Sequence, residues 1–344
     1  MVSPTTIQPE EATKKLLGVI PKRMKDIIEL RFGLARAASR MTLEAIGDKY
    51  GITRERVRQI EADAFSRIQK SPQMQEVSGV FADLERHFAS HGGVIKEEVA
   101  LASLAPHTKF ENHIYFLLSL HKPFSRFHES DEYHARWTNG KVADDRAQKT
   151  LSHAVNEIKK IGKPVSEPAL YEVLAASAKT VTGEELPKAA IAQWLGVSKR
   201  IASNHFGEWG LIDFPSIKPR GVRDLSYMVM TKKASPMHFS EVAKAIADLV
   251  GKKVHIQTVH NELIKDNRFV LVGRGLYGLR EWGYEEGTVK DLVTRILKDQ
   301  GPLPKDQVVS LVCTKRFVKA NTISVNLDNK KFFKKLADGR YSLK

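Results

Sequence analysis

Hydrophobic positions between Thr42 and Gln69 recur at the spacing of two short amphipathic helices separated by a turn. The apolar stripe of the first helix is Leu43, Ile46 and Tyr50, and that of the second is Val57, Ile60, Ala64 and Ile68. Gly51 lies where the first helix needs a left-handed residue to end, and the hydroxyl of Thr53 can cap the second helix. The pattern therefore predicts a helix-turn-helix.

The opposite face of the second predicted helix is polar and carries a guanidinium, a carboxylate and an amide near its start. Such groups can hydrogen-bond the edges of guanine, cytosine and adenine in a major groove, and neighbouring cationic side chains can hold phosphates. We predict base contacts for Arg54, Glu55 and Gln59, and phosphate contacts for Thr53, Arg56 and Arg58. The alternative is a solvated helix face whose charges pair with one another.

A longer pattern occurs four times further along the chain. The turns "HGGVIKEEVA", "IGKPVSEPAL", "KASPMHFSEVA" and "DQGPLPKDQVV" are each followed by a short amphipathic helix. Counted from Gly93, Pro164, Pro236 and Pro302, the intervals are 71, 72 and 66 residues. Each copy then offers another helix and closes with a short apolar strand pair. Three helices and a β-hairpin in such a length are typical of a winged helix, and the period indicates tandem modules.

The third copy contains a literal G-x-G-x-x-G in "VLVGRGLYGLREWGY", at Gly273, Gly275 and Gly278. A dinucleotide-binding loop needs its last glycine to open a helix, but "LREWGY" does not have the spacing of a helix start. Two short apolar runs flank "GRG", so the stretch predicts a hairpin whose glycines allow the turn.

These patterns predict a mainly α fold of tandem helix-turn-helix and winged-helix modules with short β-hairpin wings. The predicted organisation is a polar tail at 1–13, a helix-turn-helix at 14–72, and winged helices at 73–139, 140–218, 219–284 and 285–344.

Composition narrows the class of partner. The 344 residues include 55 Lys and Arg against 40 Asp and Glu, for a formal charge of +15, which favours a polyanion such as nucleic acid. The single cysteine, Cys313, excludes an internal disulfide and is expected to be a small core residue. No stretch has the apolar length of a signal peptide or a membrane span. We therefore expect a cytoplasmic, nucleoid-associated protein without a membrane partner.

No arrangement of residues predicts an enzyme or a cofactor. None of the 12 histidines lies in H-E-x-x-H, and His87 and His91, which are four residues apart, have no further candidate ligands with them. No serine lies in G-x-S-x-G. We predict no catalytic residue, no metal ligand and no cofactor. The stretch "KKFFKK" at 330–335 is open to two interpretations, either a phosphate-contacting stripe or lysines that extend from a strand surface.

The segment from Lys14 to Lys70 resembles region 4, the C-terminal promoter-recognition domain of the primary sigma factor family. The resemblance lies in "IPKRMKDIIELRFGL" and "TLEAIGDKYGITRERVRQIEADAFSRI", where "TRERVRQIE" corresponds to the recognition helix. It implies that Arg54, Glu55 and Gln59 contact bases of a −35 promoter element. It also implies that an apolar surface forms the core of the first half and lies near the site for the RNA polymerase β-flap. The residues of that surface are Ile27, Ile28, Leu30 and Phe32.

The third winged helix, roughly Gly221 to Tyr284, resembles the HARE-HTH family, which is also found in the delta subunit of bacterial RNA polymerase. The matching stretches are "MHFSEVAKAI", "TVHNELIKDNRFVLVG" and "LYGLREWGY". The resemblance implies a transcription-linked interaction module and leaves open whether its partner is DNA or protein.

The expected function is that of a non-enzymatic transcription protein that binds double-stranded promoter DNA together with bacterial RNA polymerase core. Only 13 residues precede Lys14, so we expect no domain that melts a −10 element. The alternative is a polymerase-binding adaptor, similar to the delta subunit, that does not read DNA sequence. A nucleic-acid enzyme would need acidic metal ligands, for which no candidate is found.

Overall fold

The computed structural model describes residues 8–35, 39–284 and 287–344. Seventeen α-helices and ten short strands lie within these ranges, and the strands form antiparallel sheets of two or three. The prediction of a mainly α fold is confirmed. The chain divides into two compact units: one runs to Ser203 and includes Gly207–Ile212, and the other comprises Asn204–Phe206 and Asp213–Lys344.

The first unit contains eleven helices and five strands among its described residues. Its first half contains α1 (Pro9–Leu17), α2 (Lys22–Phe32), α3 (Leu43–Tyr50), α4 (Arg54–Gln69), α5 (Pro72–Glu76), α6 (Ser78–Ser90), β1 (Val94–Lys96), α7 (Glu97–Leu104), α8 (Glu111–Leu120), β2 (Phe124–Phe127) and β3 (Arg136–Asn139). Its second half contains α9 (Lys141–Ile161), α10 (Glu167–Thr182), α11 (Lys188–Val197), β4 (Ile201–Ser203) and β5 (Trp209–Leu211).

Helix α1 begins inside the segment predicted as a polar tail. Pro9 occupies the first turn, where its missing N–H costs nothing, and Thr13 donates its hydroxyl hydrogen bond to the Pro9 carbonyl at 2.7 Å. Ala12, Leu16 and Leu17 are buried, so this stretch belongs to the core. Residues 1–7 of the predicted tail lie outside the described residues.

One hydrophobic core crosses the predicted boundary between 72 and 73. The ring of Phe32 on α2 stacks on Phe65 of α4 with centroids 5.7 Å apart, and meets the edge of Phe116 on α8 at 5.3 Å. Two side-chain amides add polar links: Asn112 donates to the Gly33 carbonyl at 3.0 Å, and Gln69 donates to that of Leu120 at 2.7 Å. The helix-turn-helix and the segment after it therefore fold on a shared core.

Helix α11 packs against the turn that leads into β1. The indole N–H of Trp194 donates to the Gly92 carbonyl at 3.1 Å. Gly92 has φ +75°, and a Cβ there would lie 2.7 Å from that of Ala190, so the approach requires glycine. A buried ion pair links β3 to α9, with Arg136 Nη2 2.8 Å from Asp144 Oδ2. These contacts integrate α9–α11 into the first unit.

The second unit contains six helices and five strands among its described residues. They are α12 (Val222–Lys233), β6 (Met237–His238), α13 (Phe239–Val250), α14 (Ile256–Lys265), β7 (Phe269–Gly273), β8 (Leu276–Leu279), α15 (Val289–Gln300), α16 (Lys305–Lys315), α17 (Ala320–Leu327), β9 (Phe333–Lys335) and β10 (Tyr341–Leu343). The strand order of the first sheet is β6–β8–β7, and β9 pairs with β10. The predicted module boundary after Tyr284 falls at residues 285–286, outside the described part of the chain.

The glycine-rich stretch forms the predicted hairpin. β7 and β8 pair antiparallel with Val270 opposite Gly278, and Gly275 adopts φ +71° in the turn. Gly278 lies within a strand, and a Cβ on it would lie 2.6 Å from the Tyr284 ring. The hairpin interpretation is confirmed.

The expectation that Cys313 is a core residue is wrong, because its side chain is exposed. Val308 and Val312 are the residues of α16 that are buried in the core. Cys313 follows Val312 directly, and one step along an α-helix turns a side chain by about 100°. It therefore points away from the core.

We predict that Phe116→Ala destabilises the helix-turn-helix as well as its own helix. A buried Phe→Ala change costs about 3–5 kcal/mol in the free energy of unfolding, because it removes apolar contacts and leaves a cavity. The measurements are urea unfolding and hydrogen exchange of the α2 amides. The control is Val142→Ala at a site that is 67% exposed, where a change within about 0.5 kcal/mol is expected. Faster exchange confined to α8 would contradict the shared core.

Candidate nucleic-acid interface

Helices α3 and α4 both begin with a threonine cap. Thr42 Oγ1 accepts a hydrogen bond from the amide of Ala45 at 3.1 Å, and Thr53 Oγ1 accepts one from that of Arg56 at 3.2 Å. Gly51 ends α3 at φ +64°, the left-handed conformation that its position predicted. The turn and the start of α4 are therefore fixed by local hydrogen bonds.

The inner side of the helix-turn-helix is a small apolar cluster. Ile27, Ile46 and Val57 are fully buried there, and six partly buried residues surround them: Leu30, Met41, Leu43, Tyr50, Ile52 and Ile60. Gly47 allows the turn to come close to α3, since a Cβ on it would lie 2.6 Å from the Ile52 carbonyl oxygen. This packing holds α4 against α3 and directs its other side outward.

All six residues predicted to contact DNA are exposed: Thr53, Arg54, Glu55, Arg56, Arg58 and Gln59. They occupy the N-cap and the first two turns of α4, in which Val57 is the buried residue. The polar face is thus open to solvent within the first unit.

Several of these side chains pair with one another in the unbound protein. Arg58 Nε and Nη2 donate to the two carboxylate oxygens of Glu55 at 2.9 and 2.7 Å. This hydrogen bonding lowers the pKa of Glu55 and raises that of Arg58. Arg56 Nη1 donates to Gln59 Oε1 at 3.2 Å. Arg54 makes no hydrogen bond or ion pair with the residues that the structure describes. Because all these groups are exposed, a ligand can exchange for such contacts at little cost.

One positioning residue was not predicted from the sequence. Arg31 on α2 approaches Glu61 of α4 with 3.3 Å between Nε and Oε2, and its Nη1 donates to the Met41 carbonyl at 3.0 Å. Arg31 thereby connects α2 both to α4 and to the segment that precedes α3. Its two partners are 30 and 10 residues away, beyond the range of helical spacing rules.

The four apolar residues assigned by resemblance to the first half of this segment lie mostly inside the protein. Ile27, Ile28 and Phe32 are buried, and Leu30 is partly buried. Ile28 and Phe32 belong to the core that includes Phe116 of α8. This chain therefore covers much of that apolar surface itself.

In residues 8–35, 39–284 and 287–344, no group of three or more His, Cys, Asp or Glu side chains could hold a metal ion. Over the same described ranges, no helix is long and apolar enough to cross a membrane.

Residues 16–70 match the family described as Sigma-70, region 4. The region-4 segment, as we call residues 16–70, contains α2–α4 and the end of α1.

Three similar proteins are sigma factors of RNA polymerase. The chain is 37% identical over 70 residues to RpoS of Coxiella burnetii (strain RSA 493 / Nine Mile phase I), covering 20% of each protein. It is 41% identical over 59 residues to SigA of a Bacillus species, covering 17% of this chain and 15% of SigA. It is 45% identical over 60 residues to RpoD of Helicobacter pylori (strain ATCC 700392 / 26695), covering 17% of this chain and 9% of RpoD. The chain thus spans a fifth or less of these relatives.

We predict that Gly47→Ala destabilises the region-4 segment by more than about 1 kcal/mol. Alanine normally favours a helix over glycine by about 1 kcal/mol, but here its methyl would press on the Ile52 carbonyl oxygen. Gly79→Ala in α6 is the matched control, since a Cβ there meets nothing within 4 Å. Urea unfolding is the measurement, and a Gly47→Ala variant as stable as the control would disprove the close approach.

Proposed function

We propose that this protein is a DNA-binding transcription protein that recognises a −35-type promoter element with α4. The observation that supports it most directly is the exposed polar face of a helix whose caps and apolar side are fixed by its neighbours. The match of residues 16–70 to sigma region 4 supports the same assignment.

In this proposal the residues near the start of α4 divide into two roles. Arg54, Glu55 and Gln59 contact base edges, because their groups match those of guanine, cytosine and adenine. The groups that contact the phosphate backbone and set the register of the helix are Thr53, Arg56 and Arg58. The ion pair between Arg58 and Glu55 exchanges for DNA contacts on binding.

We further propose that the protein acts with bacterial RNA polymerase core. Contact with the β-flap would use the rim around Leu30, which is partly exposed, or require α8 to move away from Ile28 and Phe32. The similarity of the region-4 segment to sigma factors supports a polymerase partner.

The remainder of the chain fits a series of winged helices at 73–139, 140–218, 219–284 and 285–344, with a HARE-HTH module third. Each of these segments supplies helices followed by an antiparallel hairpin. Linked modules would raise the effective concentration of the next module once the first has bound.

One observation favours the adaptor as a second candidate. Helix α14 exposes two large apolar side chains, Ile256 at 49% and Ile264 at 62%. Exposed apolar groups on one helix suit a protein partner better than a phosphate backbone.

We expect Arg54→Ala and Gln59→Ala to relax sequence preference at one base position each, at a cost of about 1–3 kcal/mol for each base contact removed. Arg56→Ala should weaken binding to all duplexes alike, because a phosphate contact carries no sequence information. The sequence preference of each variant is measured by selecting bound duplexes from a random pool, with and without polymerase core. Its affinity is then measured by titrating a selected duplex with the protein.

The matched control is Arg67→Ala, which removes an exposed arginine from the last turn of the same helix. It should leave the selected sequence unchanged. If Arg54→Ala also left the sequence and affinity unchanged, base reading by α4 would be refuted. Nuclease-resistant binding to polymerase without a mobility shift on any duplex would favour the adaptor.

A further inference from the structure

Positive charge is concentrated at the C-terminal end of the second unit. Residues 315–344 contain nine Lys and Arg against two Asp, a formal +7 of the +15 carried by the whole chain. Both acids are engaged locally. Asp338 Oδ2 accepts a hydrogen bond from Arg340 Nε at 2.7 Å, and Asp328 Oδ1 accepts one from the Tyr341 hydroxyl at 3.1 Å. Within 315–344, the two acids offset at most two of the nine positive charges.

Five lysines in this region are exposed: Lys319, Lys330, Lys331, Lys334 and Lys335. None of the five forms an ion pair with the residues that the structure describes. Lys331 has an aromatic neighbour, since its Nζ lies 5.8 Å from the centroid of the Phe332 ring. Unpaired lysines next to one another repel, and a polyanion would relieve that repulsion.

These lysines flank a helix that carries no charged side chain. Helix α17 has the sequence ANTISVNL, in which Ile323 and Leu327 are buried and Asn321, Thr322 and Val325 are exposed. Its eight residues span about 12 Å, comparable to the width of a major groove. Lys319 is its N-cap, whereas Lys330 and Lys331 follow its end by three and four residues.

The remaining two lysines lie on the adjoining hairpin. β9 pairs with β10 so that Lys334 is opposite Ser342 and Lys335 opposite Tyr341. Phe333 is buried in the core of this module, and Gly339 makes the turn at φ +85°. The buried phenylalanine anchors the strand and leaves both lysines at the surface.

In each of the other three repeated segments, the last α-helix before the hairpin is less suited than α17 to bind a polyanion. These helices are α8, α11 and α14. Six of the ten residues of α8 are buried. The loop that follows the next strand, β2, is acidic and contains Glu129, Asp131 and Glu132. α11 packs on the turn before β1. The exposed side of α14 carries the apolar side chains of Ile256 and Ile264. The helix also carries an acid, Glu262, whose Oε2 lies 3.7 Å from Arg223 Nε. α17 exposes one large apolar side chain, Val325 at 65%, against two on α14, and its flanking lysines form no ion pairs with the residues that the structure describes.

We propose that α17 and the β9–β10 hairpin form a second binding site for double-stranded DNA, which holds phosphates without reading sequence. Release of counterions from the duplex drives the binding. The site lies in the second unit and requires neither α4 nor a −35 element.

The test compares two variants of the full chain that differ from it by the same charge. One is K330Q/K331Q/K334Q/K335Q, and the control is K233Q/K244Q/K252Q/K253Q, whose lysines are also exposed. Affinity for a random-sequence duplex of about 25 base pairs is measured between about 50 and 200 mM salt. Melting temperatures verify that both variants fold.

For the first variant, we expect affinity at low salt to fall about 10- to 100-fold. The slope of log affinity against log salt should become shallower by about 0.9 for each phosphate that the variant no longer neutralises. The control should change affinity by less than about threefold. Equal shifts in both variants would mean a general charge effect and would overturn the proposal, as would weakened binding confined to duplex RNA.

A further variant, N321D/T322D, places carboxylates on the exposed face of α17. It should weaken duplex binding to a similar extent as K330Q/K331Q/K334Q/K335Q. Unchanged duplex binding by this variant would exclude α17 from the site and overturn the proposal. Arg54→Ala, tested in parallel, should alter sequence preference and keep the salt slope. Failure of base reading by α4 would therefore be distinguishable from failure of this second site.

Discussion

The structure of the first unit depends on how α4 divides its surface between core and solvent. Val57, Ala64 and Ile68 of α4 are fully buried. Val57, near the start of the helix, packs with residues of α2 and α3. Ala64 and Ile68, further along, belong to the larger core that contains the aromatic cluster. Burial of such side chains contributes about 25 cal/mol for each Å² of apolar surface removed from water. The polar groups of α4 face outward because its apolar side is committed inward, and that separation is what makes a DNA-binding role possible.

Local features of the sequence predicted the local features of the structure. Helical spacing, the left-handed Gly51 and the Thr53 cap are interactions within a few residues, and they define α3 and α4. The β7–β8 hairpin was predictable for the same reason. The cluster of Phe32, Phe65 and Phe116 was not, because periodicity shows which side of a helix is apolar but not which distant helix covers it.

Helical spacing allowed the pairing of Glu55 with Arg58 but could not decide whether the two side chains pair or stay apart. Helical spacing places both Glu55 and Arg58 on the outer side of the helix, and it aligns Arg58 with Arg54 one turn earlier. The hydrogen bonds between Arg58 and Glu55 depend on the rotamers that the two side chains adopt.

The repeated segments differ in which side chains they expose, although their sequence pattern is similar. In the first unit, α8 and α11 pack against other parts of the unit. Phe116 of α8 contacts Phe32, and Trp194 of α11 donates a hydrogen bond to the Gly92 carbonyl. In the second unit, α14 and α17 present exposed faces, one with isoleucines and one surrounded by lysines. A repeat of secondary structure therefore does not imply a repeat of binding chemistry, which depends on the side chains that remain outside.

The shared aromatic core also has a consequence for biosynthesis. Helices α1–α4 leave the ribosome before α8, and translation proceeds at roughly 5–20 residues per second. The roughly 50 residues from Gln69 to Phe116 therefore take about 2–10 s to synthesise. During that interval the apolar side of the nascent α2–α4 segment lacks its cover. Until Phe116 has been synthesised, the rings of Phe32 and Phe65 are without this part of their shared core.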